Sequence, residues 1–252
     1  MSSLWYPNVK QAPLQGMNGM WGGVGSNLVS GGVAAPSGYG SVDFDGTDDY
    51  LTIADNADWD WGGAYTIEMF VRFESHNGHD CLVHNLSDSG WAGGSWAFEY
   101  VSDDFHVYWH TGSGYANLDG GNVVPLNQWR HHAWTFDGSN HRIYQDGNKT
   151  GDATGSAPRT ATNPLCIGGN CVGADYEGRI SNLRITKGQA LYTGGSLTVP
   201  TSPLTKTSQG ASASNVKLLC CNDPDDMLNA TVTPSDISVG GGNPVASSAH
   251  PF

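Results

Sequence analysis

The chain has 252 residues, 14% of them charged, and a formal net charge of −13 from 11 Lys+Arg against 24 Asp+Glu. Phosphate backbones and anionic membrane surfaces are bound through Lys and Arg, so neither nucleic acid nor membrane is an expected partner. Nine Trp and ten Tyr exclude a disordered chain, and no apolar run approaches the roughly 20 residues of a spanning helix.

Residues 1–38 are rich in Gly, Met, Pro and Trp without a clear period, which predicts an arm ordered by docking on something else. The first residues lack a basic start followed by an apolar core, so no leader is expected and synthesis in a cytoplasm is. In "VDFDGTDDYLTIADN" (42–56), Val42 and Phe44 alternate inward before "DGTDD", and Leu51 and Ile53 do so after it. This predicts an entry hairpin with an acidic turn. In "YTIEMFVRF" (65–73), Ile67, Met69, Val71 and Phe73 share one face. "SWAFEYV" (95–101), "DFHVYWH" (104–110) and "WRHHAWTFD" (129–137) alternate in the same way. "HRIYQDGNKTG" (141–151) is a predicted hairpin turning at Asp146–Gly147. "GRISNLRIT" (178–186) and "VKLLCC" (216–221) are two more strands, separated by a Thr/Ser/Pro-rich crossing at 187–215. Many short strands joined by glycine turns predict an all-β, antiparallel β-sandwich over 39–221. Residues 222–252, with "GGG" and a final "HPF", are expected to pack as a tail on the domain or a neighbour.

The five cysteines show no C-x-x-C zinc spacing. Cys166 and Cys171 flank "IGGN" and have the spacing to cross-link a turn, but a reducing cytoplasm argues against it. Cys81 stands alone, and the adjacent Cys220 and Cys221 are expected on opposite faces of a strand. Buried free thiols are the favoured reading.

The order of these segments carries a resemblance. "VDFDGTDDYLTI", "QWRHHAWTFDG", "HRIYQDGNKTG" and "YEGRISNLRITKGQALYTG", in that sequence, resemble the laminin-G-like, concanavalin A-like jelly roll over roughly residues 40–200. "ISNLRITKGQALYTGGSLTVPTSPLT", "VKLLCC" and "NPVASSAHPF" are similar to laminin-G-like structural proteins of marine tailed phages. That resemblance implies a non-enzymatic virion protein, a head decoration or a fibre or spike component, displayed on the particle surface. It also implies other virion proteins and further copies of itself as partners, with a trimer as the expected closed assembly. A carbohydrate-binding adhesin recognising a host-surface glycan is the alternative, and a glycoside hydrolase comes third.

Three constellations bear on chemistry. Retaining hydrolysis needs two carboxylates about 5 Å apart, yet none of the four glutamates (Glu68, Glu74, Glu99, Glu177) begins an E-x-D motif. Glu99 and Asp103 come nearest, the second in a turn. For metal, an EF-hand register with Gly46 at its sixth position fails at Thr52, where a bidentate Glu is required. The family resemblance implies instead a loop calcium held by Asp45, Asp48 and Asp49, and the competing reading is a turn whose Asp side chains cap backbone N–H groups. In "ESHNGHDCLVHN" (74–85), His76, His79, Cys81 and His84 have zinc-ligand chemistry but sit where a turn enters a strand, which favours a solvated loop. The third is an aromatic–histidine surface. His106, Tyr108 and His110 share a face, Trp96 and Tyr100 are on a neighbouring strand, and Arg130 and His132 on another. Aromatic rings beside polar groups suit a sugar, although the same rings also serve as ordinary packing.

Overall fold

The computed structural model describes residues 36–86, 95–121, 123–169 and 174–252. The arm expected at 1–38 lies outside these residues except for 36–38. Strands β1 (Ser41–Asp45), β3 (Tyr65–Phe73), β8 (Arg130–Phe136), β9 (Asn140–Gln145), β10 (Asn148–Thr154), β12 (Glu177–Lys187), β13 (Val216–Cys220) and β15 (Val245–Ser247) build one sheet. Its order is β10-β9-β8-β3-β12-β1-β15, with β13 paired to the far half of β12. The second sheet runs β14-β2-β11-β4-β5-β6-β7. Its strands are β2 (Tyr50–Ile53), β4 (His79–His84), β5 (Trp96–Val101), β6 (Asp104–His110), β7 (Tyr115–Asp119), β11 (Leu165–Ile167) and β14 (Ile237–Gly241). Every pairing is antiparallel. The protein is an all-β jelly-roll sandwich.

Strand parity makes the core. Ile67, Met69, Val71 and Phe73 of β3 are fully buried between the sheets, facing Trp96, Phe98 and Trp109 of the other layer. Burying one such side chain contributes about 1.5–3 kcal/mol. The opposite face of β3 is buried as well, because the 187–215 crossing folds back over it and packs Leu191, Tyr192 and Leu204 there. Beneath that cover lies a polar knot. Glu68 accepts from Arg184 through Nε (2.9 Å) and Nη2 (2.5 Å), from the Tyr192 hydroxyl (2.8 Å), and pairs with His131 Nε2 (3.2 Å). Arg184 Nη1 donates onward to the carbonyls of Thr205 (2.7 Å) and Ser208 (3.0 Å), so one guanidinium fastens the crossing to the sheet. Burial pushes the Glu68 carboxyl upward, but the His131 hydrogen bond and the Arg184 charge outweigh it and hold it below the usual carboxylate range.

The acidic turn is not a hairpin. Strands β1 and β2 belong to different sheets, and both edges of each are already taken: β1 by β12 and β15, β2 by β11 and β14. "DGTDD" therefore carries the chain across the sandwich. The inward positions read from sequence hold, with Val42, Phe44, Leu51 and Ile53 all buried. The 222–252 segment follows the same path in reverse, since β14 extends β2 and β15 extends β1. The Asp146–Gly147 turn forms as predicted, with φ of 45° and 86°, values that suit a two-residue hairpin.

The cysteines depart from expectation at two places. Cys220 and Cys221 do not point to opposite faces. β13 ends at Cys220, Cys221 takes a φ of 55°, and both sulfurs enter the core 3.7 Å apart. Cys81 is not a free thiol but is disulfide-bonded. The reason is local: Cys81 faces outward on β4, where the segment around Ala174 lies against it and hydrogen-bonds its backbone. Cys166 is a thiol and not part of a disulfide, so no bridge from it to Cys171 forms; Cys171 itself lies outside the described residues.

Candidate functional site

The structure divides the predicted sugar-binding set among three places. Trp96, Tyr100 and His132 point into the core and are fully buried. Trp96 pairs across strands with Trp109, and the His132 ring stacks on Phe105 at 3.5 Å. These three are packing. His106, Tyr108 and His110 emerge half-buried on the outer face of β6, as their alternation predicted. There His106 and Tyr108 stack (5.9 Å between ring centroids), His110 meets Tyr115 edge-on (4.6 Å), and His106 Nδ1 approaches Asp119 (3.1 Å). This strip is aromatic, and the dimple between Tyr108, His110 and Tyr115 is too narrow to admit a water molecule.

Arg130 belongs to a third location, a wide groove open to solvent. The groove, of about 380 Å³, is lined by Val123, Pro125, Arg130, Gln145, Asp146 and Thr150. That volume falls within the range of small-molecule sites. Arg130 opens β8, Gln145 closes β9, Thr150 lies on β10, and Val123 and Pro125 come from the loop that leaves β7. Gln145 is opposite His132 in register, so both sit on the inward side of the sheet where the sandwich opens. Three of the lining residues also carry a buried side-chain atom without a protein partner: Arg130 Nε, Gln145 Oε1 and Thr150 Oγ1. An unmet buried polar group costs about 1–3 kcal/mol, so three together beside one groove make a polar wall that a ligand engages once the side chains turn outward. Arg130 is held for the task, with Nη1 on Asp146 (2.7 Å) and Nη2 on Gln128 (2.8 Å). Gln145 and Thr150 were not singled out from sequence. Their signal was the hairpin parity, which sets Gln145 on the same side as the core positions His141 and Ile143.

The acidic turn holds its carboxylates differently from a cation site. Asp49 is buried, and its two oxygens accept from the backbone N–H of Asp45 (2.8 Å) and of Asn243. Asp45 accepts from Thr47 N–H (2.8 Å). N–H donors aimed at these oxygens are the capping arrangement, and Asp49 thereby ties the β1–β2 crossing to the β14–β15 crossing beside it. The donor set fits a hydrogen-bonded turn rather than a calcium cage.

Of the possible zinc residues, two meet an unpredicted third. His79 Nε2 lies 2.8 Å from Glu99 Oε2, and Cys81 Sγ lies 3.8 Å from the same oxygen, all on the outer face of β4 and β5. The Glu99 hydrogen bond raises the His79 pKa above its ordinary value. His76 and His84 are elsewhere: His76 stacks on Tyr100 (4.4 Å) and bonds Val124 O (2.7 Å), while His84 uses both ring nitrogens on main chain.

A laminin G-type sequence model, described as the concanavalin A-like lectin/glucanases superfamily, matches residues 45–191, more than half of the chain. The chain belongs to this superfamily. Its matched segment runs from the acidic turn to the start of the 187–215 crossing and includes every lining residue of the groove. Among solved structures, a candidate carbohydrate binding protein from Bacteroides ovatus ATCC 8483 is similar, at 14% identity over 83% of this chain and 60% of that one, with a TM-score of 0.60. The native heptameric SAP-like pentraxin from Limulus polyphemus is also similar, at 13% identity over 84% and 96%, with a TM-score of 0.51. At these identities the likeness is one of fold. No curated protein matches the sequence.

Proposed function

We propose that this chain is a non-enzymatic carbohydrate-binding domain displayed on the surface of a phage particle. The observation that carries the binding half is the groove, where Arg130 Nε, Gln145 Oε1 and Thr150 Oγ1 are buried and unpartnered. A donor, an acceptor and a hydroxyl that serves as either match the groups of a sugar ring, each of which both donates and accepts. The non-enzymatic half is supported by the carboxylates. Asp146, the acid among the lining residues, is occupied by Arg130 and by His131 N–H (3.0 Å). Glu68 and Glu99 are fully buried elsewhere, on Arg184 and His79. A retaining pair about 5 Å apart across the groove has no candidate among the described residues. The placement on a particle rests on the phage-like run of motifs in the sequence. The Cys81 disulfide agrees with an oxidising exterior. A closed homo-oligomer, docked through the 1–38 arm, completes the proposal.

The test is a glycan array followed by calorimetry on the best hit, comparing wild type with Arg130→Ala, Thr150→Val and Tyr108→Ala. Losing a charged hydrogen bond of about 1.5–3 kcal/mol predicts at least a roughly tenfold weaker Kd for the first variant. Tyr108→Ala, on the outer face of β6, should bind as wild type does. Unchanged affinity in both groove variants sinks the groove. Absence of the protein from purified particles, probed by immunogold, sinks the placement.

A further inference from the structure

We infer that His79, Cys81 and Glu99 form a redox-gated site for a thiophilic divalent metal such as zinc. The three ligand atoms all lie within 4.8 Å of one another on the outer face of β4 and β5. Neighbouring strands put them there: Cys81 is opposite Glu99 in register, and His79 sits two residues before Cys81 on the same face. The second observation is Glu99 itself. Its side chain is wholly buried, only Oε2 is engaged (by His79), and Oε1 has no partner. A buried carboxylate with a bare oxygen beside an imidazole and a sulfur is an incomplete coordination shell, because a cation supplies the missing charge where a hydrogen bond alone does not.

The gate is the state of the sulfur. In the structure Cys81 is disulfide-bonded, and a disulfide sulfur is not the thiolate that zinc requires. Thiol exchange opens it. Two external thiols give up two electrons and two protons, becoming one disulfide, while Cys81 and its bridged partner become thiols. On metal binding the Cys81 thiol releases a proton to solvent, and His79 coordinates as the neutral ring with its one proton on Nδ1, an imidazolium giving its second proton to solvent. The metal then takes imidazole nitrogen, thiolate and carboxylate. The fourth position faces the exposed side of His79, whose side chain is 34% accessible, and is left to water. A reducing compartment thus loads the site and an oxidising one empties it. Cys166, Cys220 and Cys221 are buried thiols in other surroundings.

The experiment uses the full chain, either oxidised or reduced and desalted anaerobically, titrated with Co2+ and then Zn2+. The expected result is a thiolate-to-cobalt charge-transfer band that appears only after reduction and is displaced by Zn2+. His79→Ala, Cys81→Ser and Glu99→Gln should each weaken affinity by at least the roughly 10- to 100-fold seen when even an outer-shell partner is lost. Thermal melts of the oxidised variants show whether they fold. Independently of any variant, Zn2+ should slow alkylation of Cys81 in the reduced wild type, mapped by mass spectrometry. Three outcomes overturn the inference: no band after reduction, equal metal binding by the oxidised chain, or a band that survives in folded Glu99→Gln and His79→Ala. Unprotected Cys81 alkylation overturns it as well.

Discussion

Mild acid should destabilise this protein through histidines rather than carboxylates. His84 and His141 are fully buried, and hydrogen bonds fix both as neutral rings. His84 Nδ1 accepts from Leu86 N–H (3.1 Å), and its Nε2–H donates to Gly169 O (2.8 Å). His141 Nδ1 accepts from Trp134 Nε1–H (3.3 Å), and its Nε2–H donates to Ser156 O (3.0 Å). A second proton on either ring would face an N–H donor. Burial is the main cause that pushes both from 6.5 down to about 4. Below pH 6.5 the unfolded chain therefore binds protons that the folded chain refuses. The stability these rings contribute is complete above pH 6.5 and is lost as the pH falls toward 4. Between pH 7 and pH 5 each ring costs about 2 kcal/mol, so the pair costs about 4, against a total stability of about 5–15. His132, lowered the same way by burial, adds to the loss. Asp80 opposes it: burial raises its carboxyl to about 6, so the fold regains about 1 kcal/mol over the same interval. His79, raised by Glu99, also opposes it. The clean readout is a difference between two proteins. Urea midpoints of wild type and His141→Gln at pH 7 and pH 5 should show the variant losing about 2 kcal/mol less across the interval, whatever its stability at pH 7. Equal losses in the two proteins would refute the assignment of the neutral ring.

Two further outcomes follow from the polar groups. Arg184→Met should cost about 3–5 kcal/mol in urea unfolding, because it strands the buried Glu68 carboxylate. Adding Glu68→Gln should recover part of that, and a strictly additive double variant would mean the pair is not coupled. Asp49→Ala should cost about 1–3 kcal/mol through two lost main-chain hydrogen bonds, Asp48→Asn, which keeps a residue suited to the φ of 56° there, should stay within about 0.5, and a chelator should leave the melting temperature unchanged. A chelator-sensitive melt would restore calcium to the turn.

The fold was legible because burial imposed a period of two on the long strands. β3, β6, β8 and β12 stand where alternation placed them, and Phe105, Val107 and Trp109 point inward while His106, Tyr108 and His110 point out. The strands that sequence missed, β7, β11, β14 and β15, span three to five residues and draw their order from neighbours, not from a pattern of their own. "ISVGG" reads as a tail until β2 offers it an open edge. The supposed hairpin failed for a related reason. Alternation on both sides of "DGTDD" fixes which side chains face the core, but two strands facing one core from opposite sheets carry the same alternation as two strands paired side by side.

The same ambiguity decided the candidate site. Trp96 and Tyr100 neighbour Tyr108 in the strand order, and from sequence their rings were available to either face. Register settles it, because Trp96 is opposite Trp109 and Tyr100 opposite Phe105, both core residues, while Ala97 is opposite Tyr108 and Glu99 opposite His106. Outer-face neighbours of an aromatic strip are therefore a small residue and a buried acid, which is poor ground for stacking a sugar but suitable ground for a cation. The polar groups fit for a sugar gather instead where β8, β9 and β10 end and the inward side of the sheet opens to solvent. Of the predicted surface, only Arg130 lines that groove; Trp96 and His110 also stand at strand ends, but on β5 and β6. Where these three strands end, unpaired polar atoms lie beside a groove open to solvent, and that is where a ligand has room to meet them.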